Sequence, residues 1–402
     1  MKIKWYVLFL GALTAALAVA APSISLSVLF EEIAADLHLT VAQVGIIWGM
    51  GALPGIFTSL LGGAINDRLG PKRVVMFGTL LLGLTGASRA LSVDFSSLIF
   101  TVMLSGMVVT IVITGLYKTI GIWFSHQQLG LAAGIISMGM ALGFLLSSLL
   151  SASFFSPWLG GWRAVMYFYG LLALLLFVIW IFTPAGPDTT PGHRASVATV
   201  PMGQAIAHVA SLRGVWLLGF ALLGYSGCVQ STLGYLPLQL RQAGWSDISA
   251  DSAVSSFHFA SLLMVLPIAY LSDRLGKRKH LLVIMGMMTV TGIGFLFVAK
   301  GSLVFAPIIL AGMTRDGFMA LFMTYIIETD QVGSLYAGTA TGLVQALASF
   351  GNFISPPMGN QLAAISPVLP YAFWALLAAA GIFSLSRTRR PSLQDSIVSA
   401  NT

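Results

Sequence analysis

Long apolar segments, separated by short polar turns, run through nearly the whole chain. A helix needs roughly 20 mostly apolar residues to cross the hydrocarbon core of a bilayer. The segments meet that length one after another, so the pattern predicts an all-α membrane protein. Twelve spans are predicted, at residues 5–30, 42–65, 74–93, 97–124, 129–154, 164–183, 214–239, 252–272, 280–299, 303–328, 335–363 and 369–386.

The first apolar segment follows two lysines, as the apolar part of a cleaved secretory signal also does. Lys2 and Lys4 precede it, but the apolar run continues to Phe30 and eleven more spans follow. We therefore interpret the segment as a retained first span.

A proline-rich stretch interrupts the apolar pattern between spans 6 and 7. It begins at Pro184 and ends near Gln204, and a short amphipathic piece at 205–212 is predicted to lie on the membrane surface. The pattern predicts four parts: a six-helix bundle at 1–183, a cytoplasmic linker at 184–213, a second six-helix bundle at 214–390 and a disordered tail at 391–402.

Two charged turns about half a chain apart have nearly the same sequence. Asp-Arg-Leu-Gly ends span 2 at positions 67–70 and ends span 8 at positions 273–276, and basic residues follow both times. The repetition at matching points indicates a duplicated membrane protein. The shared sequence resembles the loop motif of the major facilitator superfamily of secondary transporters.

This resemblance implies two six-helix bundles that rock around a central cavity, lined by spans 1, 4, 7 and 10. It also implies that Asp67 with Arg68 and Asp273 with Arg274 act as gating residues that latch one state of the cycle. An aspartate accepts hydrogen bonds well from the free amides at a helix N-terminus. The alternative for both turns is a charged hairpin that serves only topology.

Composition and charge agree with a membrane protein and set its orientation. Hydrophobic residues make up 57% of the chain and charged residues only 8%, and there is one cysteine. The net charge of +7 comes from short loops, so it predicts no nucleic-acid partner. Fourteen Lys and Arg fall on one side of the predicted membrane and four on the other. Both termini are therefore predicted to be cytoplasmic in a multi-pass protein of the cell membrane.

Arg315 is the most informative charge, because it lies near the middle of span 10. A charged side chain at that depth costs several kcal/mol unless it faces a cavity or a partner. A guanidinium suits a carboxylate or another planar oxyanion, so we predict that Arg315 binds an anionic substrate. The alternative is an arginine neutralised by Asp316 and used for packing. Adjacent helical residues point about 100° apart, which argues against Asp316 as a direct partner.

Other polar residues inside the spans are candidates for binding, gating and proton coupling. Lys118 is a second candidate for anion contact or for a charged pair with Glu328 near the inner mouth, and snorkelling to the headgroups is its alternative. His258 and Asp316 are the candidates for proton coupling, although a lone histidine more often bonds a neighbouring helix. Five neutral residues are predicted as further substrate contacts: Tyr117, Tyr225, Gln230, Gln345 and Asn352.

Glycines recur in spans 5 and 11 at intervals typical of close helix packing. We predict packing for all of them, since small residues let helix backbones approach in a membrane. They are Gly130, Gly134, Gly139 and Gly143 in span 5, and Gly338, Gly342 and Gly351 in span 11.

The connection between spans 4 and 5 resembles that of monocarboxylate and oxalate/formate members of the superfamily. It has Phe124 and then Leu-Ala-Ala-Gly at 131–134, but Gln127 and Gln128 stand where those proteins have basic residues. The usual arginine of their span 8 is also absent. The resemblance implies a small organic anion, with a carboxylate favoured, moved by alternating access as proton symport or anion exchange.

Two other transport functions stay open as alternatives. Export of drugs or other amphipathic compounds fits an apolar cavity, but span 5 lacks the signature of drug/proton antiporters. Nitrate-like transport would need a second cationic residue, which only Lys118 supplies. We predict no enzyme activity, cofactor or metal site, because no catalytic cluster, metal-ligand spacing or phosphate loop occurs. The expected partners are the bilayer, a small anion and protons, and the expected state is a monomer.

Overall fold

The computed structural model describes residues 2–184, 186, 201–329 and 331–388, and regular structure in these ranges is entirely helical. Residues 185 and 187–200 of the predicted linker, half of its length, and the whole predicted tail lie outside the described residues. The helices are α1 Lys2–Thr14, α2 Ala21–Val28, α3 Phe30–Asp36, α4 Val41–Met50, α5 Gly55–Leu69, α6 Pro71–Ser88, α7 Phe95–Trp123, α8 His126–Leu150, α9 Ser156–Leu159, α10 Trp162–Phe182, α11 Met202–Ser211, α12 Arg213–Gln242, α13 Asp247–Leu275, α14 Arg278–Phe295, α15 Phe305–Gly312, α16 Arg315–Ile327, α17 Gly333–Leu362 and α18 Leu369–Ser386.

Ten helical segments of the described chain are long and apolar enough to cross a membrane. They match ten of the predicted spans, the first as Ile3–Val28 and the last as Leu369–Ser386. Predicted spans 9 and 11 are also helical, as α14 and α17, but are less apolar. Basic residues open α14, and small and polar residues run through α17. The membrane-spanning, all-helical class is confirmed, while the exact count of twelve crossings stays a prediction.

Two ends of the helix assembly need names, because the site lies between them. The terminal face is the end at which α1 begins and α5, α13 and α18 end. The distal face is the end that carries α3, α9 and the turn between α12 and α13. The positive charges identified in the sequence predict that the terminal face is cytoplasmic.

Several spans are interrupted rather than continuous. Span 1 contains a π-helical turn at Ala15–Ala20, and a second one, Ser151–Phe155, follows α8. Span 10, predicted as one helix at 303–328, is broken between α15 and α16. Such interruptions are common at functional sites in membrane transporters, because they free backbone groups and redirect side chains.

The N-terminal helices α1–α10 meet the C-terminal helices α12–α18 along a seam that hydrogen bonds cross near the distal face. The indole N–H of Trp48 donates to the carbonyl of Gln230 at 2.7 Å. The Asn360 amide donates to the carbonyl of Val41 at 3.0 Å. These bonds join α4 to α12 and α17, so the distal end of the seam is closed.

The glycines of spans 5 and 11 serve two different environments. A Cβ on Gly139 would lie 2.5 Å from the carbonyl oxygen of Ala12, and Gly143 and Gly351 contact backbone as closely. Gly130, Gly134 and Gly338 instead border open space, with nothing within 4 Å of an added Cβ. The packing prediction is therefore right for the middle of α8 and wrong for its terminal-face end.

This contrast gives a test with a matched control on one helix. Gly139→Ala should lower the thermal unfolding midpoint in detergent, because overpacking against a backbone carbonyl costs about 1–3 kcal/mol. Gly134→Ala should raise it slightly, since alanine favours a helix over glycine by up to about 1 kcal/mol. Equal midpoints for the two variants would contradict the packing described.

Candidate functional site

The break in span 10 places two opposite charges in the first turn of α16, near the middle of the membrane-spanning stretch Gly301–Ile327. The turn before it is held from both sides. Gly312 touches the backbone of Phe257 so closely that no side chain would fit. The Thr314 hydroxyl bonds the Thr289 hydroxyl at 2.7 Å. Arg315 and Asp316 thus begin a fixed half-helix.

Ser261 of α13 positions the carboxylate. Its hydroxyl accepts the backbone N–H of Asp316 at 3.1 Å and donates to the carboxylate Oδ2 at 2.7 Å. One hydroxyl therefore satisfies a free amide at the start of α16 and orients the acid beside it. The negative charge at a helix N-terminus is also favoured by the helix dipole.

Arg315 and Asp316 form a direct ion pair. The guanidinium Nη1 lies 2.6 Å from Asp316 Oδ1, and both side chains are 25% exposed. The sequence argument that Asp316 is a poor partner for Arg315 is therefore wrong. The angle of about 100° between adjacent helical residues does not exclude a pair, because an arginine side chain is long and flexible enough to reach the neighbouring carboxylate. The charge of Arg315 is neutralised, and the pair stays accessible.

An aromatic ring from the other half of the chain completes the site. Phe144 of α8 lies with its ring centre 5.0 Å from the guanidinium carbon of Arg315. The same ring stacks on His258, with the centroids 5.3 Å apart and the planes 15° apart. A cation over an aromatic face is attracted by the ring quadrupole. Phe144 thus links the two halves at the charged pair, and one apolar residue in a long apolar span gave no sequence signal of this.

His258 is buried rather than open to the cavity. Its ring is 2% exposed and lies between Phe144 and Phe257. Its Nε2 has no hydrogen-bond partner among the described residues. The described contacts of His258 are therefore ring contacts, and they do not include the hydrogen bond from Nε2 to a neighbouring helix that was the alternative role.

The neutral candidates are scattered. Tyr225 is 1% exposed and stacks on Phe318 at 3.8 Å, so it lies in a sealed helix contact instead of the expected cavity wall. The carbonyl of Gln230 takes part in the distal seam. Gln345 and Asn352 are half-buried on α17, and the Asn352 Oδ1 lacks a partner among the described residues.

Three further candidates lie toward the terminal face. Tyr117 is exposed and bonds Ser137 at 3.0 Å, and Lys118 follows it, half-buried. Glu328 forms an ion pair with Arg278 at the start of α14. The ion pair shown for Glu328 thus lies within the C-terminal half, and a pair between Glu328 and Lys118 in another state of the cycle stays a prediction.

The two repeated turns have the backbone that their glycines were expected to allow. Gly70 and Gly276 both have positive φ, at 83° and 60°. Arg68 and Arg274 are exposed at the terminal face. The side chains of Asp67 and Asp273 lie outside the described part of the structure, so their gating role stays a prediction.

An apolar groove of about 420 Å³ lies elsewhere, between α1, α8 and α10. Its lining includes Phe9 and Leu146, which are widely exposed on the surface of the N-terminal half. It is separate from the charged pair. No group of three or more potential metal ligands converges within the described chain.

Known proteins resemble this chain along most of its length. It is 23% identical over 331 residues to the uncharacterized transporter YycB of Bacillus subtilis (strain 168), covering 81% of this chain and 80% of that one. Its fold matches the crystal structure of the nucleoside transporter NupG with a TM-score of 0.77 and 15% identity, over 94% of this chain and 99% of the other. The D-xylose-proton symporter gives 0.76 and 16% identity, over 96% and 98% of the two chains.

The family model named Major Facilitator Superfamily matches residues 8–356 and, in a second match, 241–398. These matches cover nearly the whole chain and include both repeated turns. The chain therefore belongs to the major facilitator superfamily of membrane transporters.

Proposed function

We propose that this secondary transporter moves a small carboxylate anion together with a proton, and that the Arg315–Asp316 pair binds both. The pair itself carries the proposal: a guanidinium and a carboxylate 2.6 Å apart, accessible near the middle of the membrane. Protonation of Asp316 would release Arg315, whose planar fork then suits the incoming carboxylate.

Charge balance explains why anion and proton should travel together. The empty site holds one positive and one negative group, so its net charge is zero. An anion alone would leave one excess negative charge at a depth where unbalanced charge is costly. With a proton on Asp316 the loaded site is neutral again. Both the empty and the loaded carrier can then reorient without moving net charge through the membrane.

The surroundings favour a small cargo. Phe144 covers the guanidinium from the N-terminal half, and Ser261 fixes the carboxylate from the C-terminal half. With the distal seam closed, the partial exposure of the pair leaves the terminal face as its route to water. Under the predicted orientation, which we adopt here, this is an inward-facing state at the cell membrane.

Two alternatives remain distinct from this proposal. Nitrate or nitrite would use the same guanidinium, with Lys118 as the second cation. Export of amphipathic compounds is favoured by the apolar groove between α1, α8 and α10. Uptake of radiolabelled pyruvate, oxalate, succinate and nitrate into proteoliposomes, with and without an inward proton gradient, separates the anion functions. Dye efflux from the same vesicles tests the exporter.

Arg315→Gln should reduce carboxylate uptake by about a hundredfold, because a hydrogen bond to a charged group contributes up to about 3 kcal/mol. Arg387→Gln is the matched control, since Arg387 also lies over a phenylalanine ring, that of Phe383, at 4.8 Å. It should leave uptake unchanged. Normal uptake by a folded Arg315→Gln protein would refute the binding role.

Asp316→Asn should separate exchange from net transport. The variant leaves Arg315 permanently positive, so the anion binds without a proton and the loaded carrier is neutral. The empty carrier then holds a net charge and returns slowly. Counterflow of labelled against unlabelled anion should persist, while accumulation driven by a proton gradient is lost.

His258→Gln, measured in the same vesicles, tests whether the histidine rather than Asp316 couples transport to protons. Proton-driven accumulation should survive it, because we assign coupling to Asp316. Loss of accumulation in His258→Gln together with its retention in Asp316→Asn would transfer the coupling role to the histidine.

A further inference from the structure

A second buried carboxylate lies at the distal end of the seam, away from the Arg315 site. Asp251 of α13 is fully buried and accepts two hydrogen bonds from Ser153, from the backbone N–H at 3.0 Å and the hydroxyl at 2.5 Å. Arg241 of α12 donates to its other oxygen. Three donors thus converge on one carboxylate.

These partners come from both halves of the chain. Ser153 belongs to the π-helical turn Ser151–Phe155 of the N-terminal half, and this turn aims both its N–H and its hydroxyl at α13. One turn deeper, Ser148 and Ser255 bond across the same seam at 3.0 Å. The two halves cannot separate at the distal face unless the bonds between Asp251 and Ser153 break.

Acidic side chains outnumber basic ones around Asp251. Arg241 also lies 2.7 Å from Asp247 and 3.6 Å from Glu31, measured from its Nε. Glu32 stands beside them and accepts a bond from the Ser156 hydroxyl at 2.6 Å. One guanidinium therefore faces three carboxylates within ion-pair distance, and Glu32 lies close enough for its pKa to respond to the same charges. Burial raises the pKa of Glu31, Arg241 opposes that rise and Asp247 adds to it. Carboxylates crowded in this way share protons readily.

The three hydrogen-bond donors around Asp251 determine whether its protonation strengthens or weakens the closed distal face. An ionised carboxylate accepts all three bonds, and bonds to an ionised group are the stronger kind. Protonation converts one acceptor position into a donor, which then faces another donor. Closure of the distal face is therefore strongest when Asp251 is ionised and weakens when it takes up a proton.

We propose that Asp251 is the carboxylate of a proton-operated gate at the distal face, closed when ionised and released when protonated. Arg241 holds the carboxylate from within the C-terminal half, and the π-helical turn at Ser153 binds it from the N-terminal half. The gate acts on the conformational cycle and does not depend on which cargo the Arg315 site carries.

The test measures opening of the distal face directly by spin labels in lipid nanodiscs. Val93 and Leu303 are exposed at the distal ends of the two halves, and each is replaced by cysteine for labelling. The single native cysteine, Cys228, is replaced by alanine. The distance between the labels should lengthen as the pH falls from neutral to mildly acidic.

Asp251→Asn should give the long distance at both pH values, because the amide cannot accept on both sides and Arg241 loses its buried partner. Asp94→Asn is the matched control: it removes an exposed carboxylate at the same face, bonded only to its own helix start, and should behave as the parent does. Ser153→Ala removes one donor to the ionised form, so the opening should shift to higher pH.

Two results would overturn the assignment. A short distance in Asp251→Asn at neutral pH would show that Asp251 does not hold the gate. A parent-like pH response in that variant would assign proton sensing to Glu31, Glu32 or Asp247. Should Asp251→Asn not fold, Ser153→Ala still tests the gate. A pH midpoint of distal opening that is unchanged from the parent, or shifted to lower pH, would contradict it.

Discussion

A guanidinium near the middle of a bilayer must be neutralised, and the rest of the site follows from how this chain does so. Arg315 is paired with its own neighbour, Asp316. The break between α15 and α16 puts both residues in the first turn of a half-helix and leaves a free amide for Ser261 to satisfy, so the carboxylate that neutralises Arg315 is held in place.

The same constraint connects chemistry to motion. Phe144 contacts the charged pair from the opposite half, so the site lies on the seam that must open and close. Gly49 of α4 packs directly against the backbone of Phe353 of α17, and hydrogen bonds from the Trp48 and Asn360 side chains to backbone carbonyls also cross the distal part of that seam. The bonds of Asp251 cross it as well. With the partly exposed Asp316 and the buried Asp251, the two proposals together couple proton uptake to reorientation at two depths.

Much of the fold could be predicted from the sequence, because the hydrophobic period and length of membrane spans are strong signals. The glycine of each repeated turn also has the positive φ that its position suggested. The break in span 10 was not predictable in this way: no proline marks it, and Gly312 is one glycine among 43. The pairing of Arg315 with Asp316 was not predicted either, because the angular spacing of adjacent residues takes no account of the reach of a long arginine side chain.

The distal gate was missed because the predicted span boundaries fell slightly short. The apolar pattern predicts that span 7 ends at residue 239 and that span 8 begins at 252, which would put Arg241 and Asp251 in a loop. In the structure α12 continues to Gln242 and α13 begins at Asp247, so both residues are buried within helices. Phe144 illustrates another limit, because contacts between the two halves leave no trace in the local pattern of either.

The most direct measurement of the central claim is the protonation state of Asp316 when an anion binds. Difference infrared spectroscopy of the protein in lipid, with and without pyruvate or whichever carboxylate the vesicles transport best, reports the carbonyl band of a protonated carboxyl group. The account predicts that this band appears on anion binding and is missing in Asp316→Asn. Anion binding with no such band, or with the same band in the variant, would contradict the claim that Asp316 takes up a proton when the anion replaces it as the partner of Arg315.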